Sequence, residues 1–177
     1  YRMTFQELID LGITYREQTE PEKCLQCFGQ AFLLEPDSAA AFNNYGNTLR
    51  EMGQPGRAIP FLHHACILDP SMSTAHFNLS VALLLSGDLR NGFRQYESRW
   101  GFEHLQGLLP TFSQPIWRGE DLTDKTILVI GEQGHGDVLH FSRFVADLKN
   151  YNPKKICFQV GTDMIELMQS SKIMQGI

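Results

Sequence analysis

The sequence predicts an all-α array of three helix-turn-helix repeats followed by a partial α/β unit of the strand-helix-strand kind. Three observations carry that prediction. Self-similar segments recur at an interval of 34 residues, with Pro36 and Pro70 marking it. Turn and cap residues fall at matching places within each segment. Beyond His104 the apolar pattern changes from helical spacing to the short continuous runs "TILVI" and "ICFQV", which read as buried strands.

The repeats come first. "QELIDLGITYREQTEPEKCLQCFGQAFLLEP", "AAAFNNYGNTLREMGQPGRAIPFLHHACILDP" and "TAHFNLSVALLLSGDLRNGFRQYESRWGFEH" align without gaps, giving units of about 3–36, 37–70 and 71–104. In the first helix of each, Leu11-Gly12, Tyr45-Gly46 and Leu79-Ser80 coincide, and Tyr15, Leu49 and Leu83 follow a turn later. In the second helix Cys24, Ala58 and Gly92 align as small residues, with Phe28, Leu62 and Tyr96 as large ones. Small residues let two helices approach, and large ones fill the grooves beside them. Gly53 with Pro55, and Gly87 with Asp88, separate paired helices; Asp37-Ser38 and Ser71 are expected to cap new ones. Pro60 lies inside the second helix of the middle unit, which predicts a late start or a kink. The third unit departs from the pattern, with Arg99 where the others have Ala31 and Ala65, as terminal repeats often do.

This alignment closely resembles the tetratricopeptide repeat (TPR), whose spacing W-x2-L-G-x2-Y…A-x3-F…P it follows over three units. The resemblance implies an all-α TPR superhelix whose first helices line a peptide-binding groove. Asp10, Asn44 and Asn78 hold equivalent places on those helices. In protein O-GlcNAc transferases, which the repeats resemble, asparagines in that place bind a peptide backbone. An amide suits sequence-tolerant binding because it both donates and accepts. Asn47 and Arg50, on the same helix as Asn44, complete the expected groove set. Helix packing or simple solvation remains the alternative for these side chains.

Residues 105–124 form a connector with Pro110, Pro115 and scattered apolar side chains (Leu108, Leu109, Phe112, Ile116, Trp117), expected to be ordered against both domains. From 125 to 177, "TILVI", an amphipathic helix over 138–149 and "ICFQV" have the size of a βαβ unit. "DMIELMQSS" reads as a second helix and "IMQGI" as the approach to a third strand. The first strand is joined to the helix by "GEQGHGD", with Gly131, Gly134 and Gly136 spaced G-x-x-G-x-G. That is neither the dinucleotide fingerprint nor a P-loop. Asp163, after the second strand, is weak evidence for a ribose partner.

The stretch P-x-W-x-G-E-x-L over Pro115–Leu122, followed by "ILVIGEQGHGDVLHFSRF", resembles bacterial TPR proteins with a C-terminal glycosyltransferase domain. That domain is related to the heptosyltransferases, and its architecture is GT-B, with two Rossmann-like lobes. The resemblance implies the start of the first lobe here, with Asp137 as candidate general base toward an acceptor hydroxyl. Asp137 as an N-cap is the alternative reading. His135 is a second acid/base or phosphate-contact candidate, and Glu132, Gln133, Gly134 and Gly136 form the expected ligand loop. The donor-binding lobe lies outside these residues. The chain, opening on Tyr1, is therefore expected to be a fragment or natural truncation, inactive alone. A nucleotide-sugar donor is then expected only for a full-length parent acting on a protein or glycan, and no cofactor for this chain. A non-catalytic scaffold is the alternative. Two strands alone leave a parallel sheet uncovered, so this tail is expected to pair with another copy, to lean on the repeats or to be poorly ordered.

Composition bounds the rest. A net charge of −5 and pI near 5.6 argue against nucleic-acid binding. No apolar run is long enough for a membrane span. Four scattered cysteines fit a cytoplasmic protein better than a disulfide framework. Cys24-x-x-Cys27 lacks the partners of a zinc site and reads as helix packing, and His63-His64 diverge on a helix, so no metal is expected.

Overall fold

The computed structural model describes residues 2–102, 112–132 and 134–171. The chain divides into two compact units, Tyr1–Thr111 and Phe112–Ile177.

The first unit is a stack of three helix hairpins: α1 (Phe5–Glu17) with α2 (Pro21–Leu34), α3 (Ala39–Glu51) with α4 (Pro55–Leu68), and α5 (Ser73–Leu85) with α6 (Leu89–Tyr96). Local chemistry sets most starts. Thr4 and Glu7 form a capping box on α1, Thr4 N–H donating to Glu7 Oε2 at 2.7 Å. Ser38 caps α3, accepting from Ala41 N–H, and Asp88 caps α6, accepting from Asn91 N–H. Pro21 and Pro55 take the first helical positions, where no N–H partner is needed.

Two local expectations are corrected. Ser71 does not cap α5, whose N-cap is Met72; its N–H and hydroxyl both donate to Asp69 Oδ1, closing the preceding turn. Of the late start or kink expected at Pro60, the late start is overturned: α4 begins at Pro55 and runs through Pro60. The carbonyl that Pro60 deprives of a donor belongs to Gly56, an exposed residue in the first turn of the helix.

Within the first two hairpins the small-to-large alignment becomes close packing. A Cβ placed on Gly46 would lie 2.7 Å from Leu62 Cγ and 3.2 Å from the Leu62 backbone nitrogen, and Gly12 sits likewise against the ring of Phe28. Phe28, Leu49 and Leu62 are fully buried. The turns repeat as well: Thr19, Gly53 and Gly87, each 34 residues from the next, all have left-handed backbones (φ 58°, 72° and 86°). At Arg99 the register breaks. The α6 helix stops at Tyr96, a 3-10 turn covers Glu97–Gly101, and Arg99 is buried with its guanidinium over the rings of Tyr96 (4.7 Å) and Trp100 (4.3 Å). His104 lies outside the described residues.

In the second unit β1 (Thr126–Ile130) and β2 (Lys155–Gln159) pair in parallel, with Thr126 opposite Lys155 and Ile130 opposite Gln159. Between them runs α7 (His135–Asp147), and α8 (Ile165–Ser170) follows β2. The helix expected over 138–149 starts three residues earlier because Gly134 takes the N-cap. The reading of "TILVI" as fully buried is also corrected: Ile127 is buried, but Leu128 is 42% exposed. One face of the two-stranded sheet packs in a core with Val138, Val145, Met164 and Met168; the other lacks such a cover among the described residues. The connector contributes to this core. Leu122 is buried in it and Trp117 packs on it, its ring edge-on to Tyr151 at 5.0 Å. Residues 103–111, with Leu108, Leu109 and Pro110, and the run "IMQGI" with its expected third strand lie outside the described residues. The described part of this unit is thus a small two-stranded parallel sheet with its helices.

Candidate functional site

Two places carry the residues singled out from the sequence. The first is a stripe on the first helices of the three hairpins. Gly12 and Gly46 face the second helices, and Asp10 and Asn44, two residues earlier, project about 200° around the helix from them. Asp10, Asn44 and Asn78 are accordingly exposed or half-buried on the face left open by the hairpin cores.

Asn78 on α5 reaches across to the neighbouring first helix. Its Nδ2 donates to Asn43 Oδ1 at 2.9 Å. This places α3 and α5 side by side and leaves the Asn78 carbonyl and the Asn43 amino group to offer one acceptor and one donor. Asn43 was not singled out from the sequence. It occupies the repeat position of Ile9 and Phe77, so the alignment gave no reason to select it.

Asn47 and Arg50 are drawn together on α3 itself. Arg50 Nε and Nη2 donate to Asn47 Oδ1 at 3.1 and 2.6 Å, while Asn47 Nδ2 donates to Glu51 Oε1 at 2.9 Å. Asn47 is buried and Arg50 half-buried, so this trio braces the helix at the margin of the stripe. A recess of about 240 Å³ opens beside it, lined by Arg16, Glu20, Thr48 and Glu51 among others.

The second place is the loop after β1. Gly131 is held tightly: its N–H donates to Gln159 O at 2.7 Å, and an added Cβ would meet Gln159 O at 3.1 Å and Val138 Cγ2 at 3.2 Å. Gly136, by contrast, stands in open space. Asp137 is the third residue of α7 and exposed; Gly134 is the N-cap, and no side chain makes a capping hydrogen bond. The N-cap reading of Asp137 is therefore corrected, and its carboxylate remains near the positive end of the helix dipole without holding it closed. Glu132 is exposed at the loop, and Gln133 lies outside the described residues.

His135 is joined to a partner that the sequence hardly marked. Its Nε2 lies 2.7 Å from Asp163 Oδ2, which links the loop after β1 to the loop after β2. Asp163 folds back over Gly161, where an added Cβ would fall 2.6 Å from Asp163 Oδ1. Both members of the pair are well exposed, at 66% and 60%. His135, Asp137 and Asp163 thus lie at the carboxyl ends of the two parallel strands, where open α/β sheets generally hold ligands. Cys24 and Cys27, by contrast, are buried free thiols in the helical core. Among the described residues no three His, Cys, Asp or Glu side chains gather to hold a metal, and no helix is long and apolar enough to cross a membrane.

No protein-family model and no curated protein matches the sequence. Solved structures do match. The second TPR domain of Spaghetti (RPAP3), bound to the HSP90 peptide SRMEEVD, is similar over 53% of this chain and 87% of that one, at 18% identity and a TM-score of 0.52. The Sgt2 TPR domain from Aspergillus fumigatus aligns with 65% of this chain and 91% of its own, at 18% identity and 0.52. MamA aligns with 57% of this chain, which spans only 59% of MamA, at 21% identity and 0.53. At these identities the likeness carries the fold alone: the helical part of this chain has the TPR fold.

Proposed function

We propose, starting from the TPR fold of the helical unit, that this chain holds an extended peptide segment of a partner protein along the first helices α1, α3 and α5. The observation that carries the reading is the amide pair between Asn78 and Asn43, which bridges neighbouring helices and still offers an acceptor and a donor outward. A peptide backbone presents the complementary groups at every residue, so such a pair binds main chain with little regard to sequence. Asn44, half-buried on the same face, extends the polar line. The similar RPAP3 domain is bound to a peptide, which adds to this reading without supplying the ligand.

The test is selection of peptides from a displayed random library on the purified chain. Affinities are then compared for the wild type and the Asn43→Ala/Asn78→Ala double variant. Losing two net hydrogen bonds of about 0.5–1.5 kcal/mol each weakens binding by roughly 5- to 150-fold. Unchanged affinity in the folded double variant refutes the reading.

The second reading is that the α/β unit belongs to a glycosyltransferase of the TPR-containing kind, active in a longer protein. It is favoured by the placement of Asp137, His135 and Asp163 at the carboxyl ends of β1 and β2. An exposed carboxylate there could take a proton from an acceptor hydroxyl, with a nucleotide sugar as donor. In a longer protein containing these residues, Asp137→Asn then abolishes sugar transfer while donor binding persists. Full transfer by that variant rules out the base role.

A further inference from the structure

We infer that the stripe on the first helices selects an extended segment bearing lysine or arginine side chains and turns away acidic peptides. The inference rests on the peptide-binding reading above and specifies its ligand.

It follows from the charges on that face. Asp10 and Glu17 on α1 and Glu51 on α3 are exposed, at positions equivalent or adjacent to the asparagine line. Asp10 and Glu17 stand about 10 Å apart along α1, from seven residues of helical rise. Alternate side chains of an extended strand stand about 6.6 Å apart on one face, and the long, flexible stems of lysine or arginine span the remaining few ångströms to reach both carboxylates.

Cations on the first helices are few, and Arg50 is committed. The α5 helix has none. On α3, Arg50 spends both of its Nε and Nη2 donors on Asn47, with Nη2 also 3.7 Å from Glu51. On α1, Arg16 shares its recess with Glu20 and Glu51. No cluster of free cations on these helices is therefore placed to receive the carboxylates of a segment such as SRMEEVD, which the RPAP3 domain binds. The same fold presents a different charge face here, and specificity is set by like-charge repulsion as much as by attraction.

The experiment measures fluorescence anisotropy of three labelled peptides on the full chain: SRMEEVD, an SRMQQVN amide that lacks its acidic groups, and a more basic SRMKKVK amide. Each is titrated at about 50 mM and about 500 mM salt, where screening lengths differ several-fold. The basic peptide is expected to bind about tenfold more tightly than the acidic one at low salt, from several exposed pairs acting together. The gap shrinks at high salt. It also collapses in the Asp10→Asn/Glu17→Gln/Glu51→Gln variant, whose melting temperature is measured alongside to show that it folds.

Tighter binding of SRMEEVD, or equal affinity for all three peptides, overturns the charge selection while leaving peptide binding standing. A preference for the basic peptide that survives the triple variant also overturns it, because other residues then carry the selection. No binding of any peptide overturns the peptide-binding reading and this inference with it.

Discussion

Replacing Gly46 by alanine adds a single methyl group at the tightest contact between α3 and α4. The added carbon would lie 2.7 Å from Leu62 Cγ and 2.9 Å from Cδ2, where carbon atoms normally stand about 3.5–4.0 Å apart. A leucine side chain can turn aside. The Leu62 backbone nitrogen, at 3.2 Å, cannot move unless α4 moves with it. Overpacking of this kind costs about 1–3 kcal/mol. The better helix propensity of alanine returns up to about 1 kcal/mol, so the net loss is on the order of 1 kcal/mol. In a domain this size that lowers the melting temperature by roughly 4–8 °C.

Gly56→Ala supplies the control within the same hairpin. Nothing lies within 4 Å of its added Cβ, so only the propensity gain remains. Thermal melts of both variants, followed by the helical circular dichroism signal, should therefore bracket the wild type, with Gly46→Ala below and Gly56→Ala at or above it. A Gly46→Ala protein as stable as the wild type would refute the argument that glycine is needed there for close approach.

Other outcomes follow from single features. Thr19 carries a β-branched side chain at φ 58°, where the two equivalent positions have glycine, so Thr19→Gly should raise the melting temperature by relieving roughly 1 kcal/mol of backbone strain; a drop would show the turn to be unstrained. Burial pushes the Cys66 thiol up to about 11 and raises Cys24 and Cys27 as well. Brief alkylation near pH 8, read by mass spectrometry, should leave all three unmodified until the chain is unfolded. Hydrogen bonds from Ser71 hold the Asp69 carboxyl below its usual range, and those from Asn91 do the same for Asp88. Because these folded-state values are depressed, the stability they add is present above about pH 4 and lost as pH falls through the folded values. Thermal melts should accordingly be flat from neutral pH to about 5 and decline below about 4, and the decline should shrink in Asp69→Asn/Asp88→Asn.

The sequence alone determined the three-hairpin array. A 34-residue period of small and large residues has only one economical solution, because each hairpin buries its face on the next and the same side chains must meet each time. Gly12 on Phe28 and Gly46 on Leu62 were legible for that reason, as were the two strands, since their apolar runs are short and sharply bounded. What lies between residues distant in sequence was not legible. The link from Asn78 to Asn43 and that from His135 to Asp163 depend on which helix faces and loop ends arrive together, and a one-dimensional pattern does not specify that. Side-chain roles were also decided by local competition: Ser71 had a nearer acceptor in Asp69 than in the helix it was expected to cap, and Gly134 took the N-cap that Asp137 was read to fill. Even the strained turn at Thr19 was visible only through its backbone, because a threonine there looks ordinary until its φ is seen to match Gly53 and Gly87. Periodicity fixes which faces must be buried, whereas packing decides which polar groups on the remaining faces find one another.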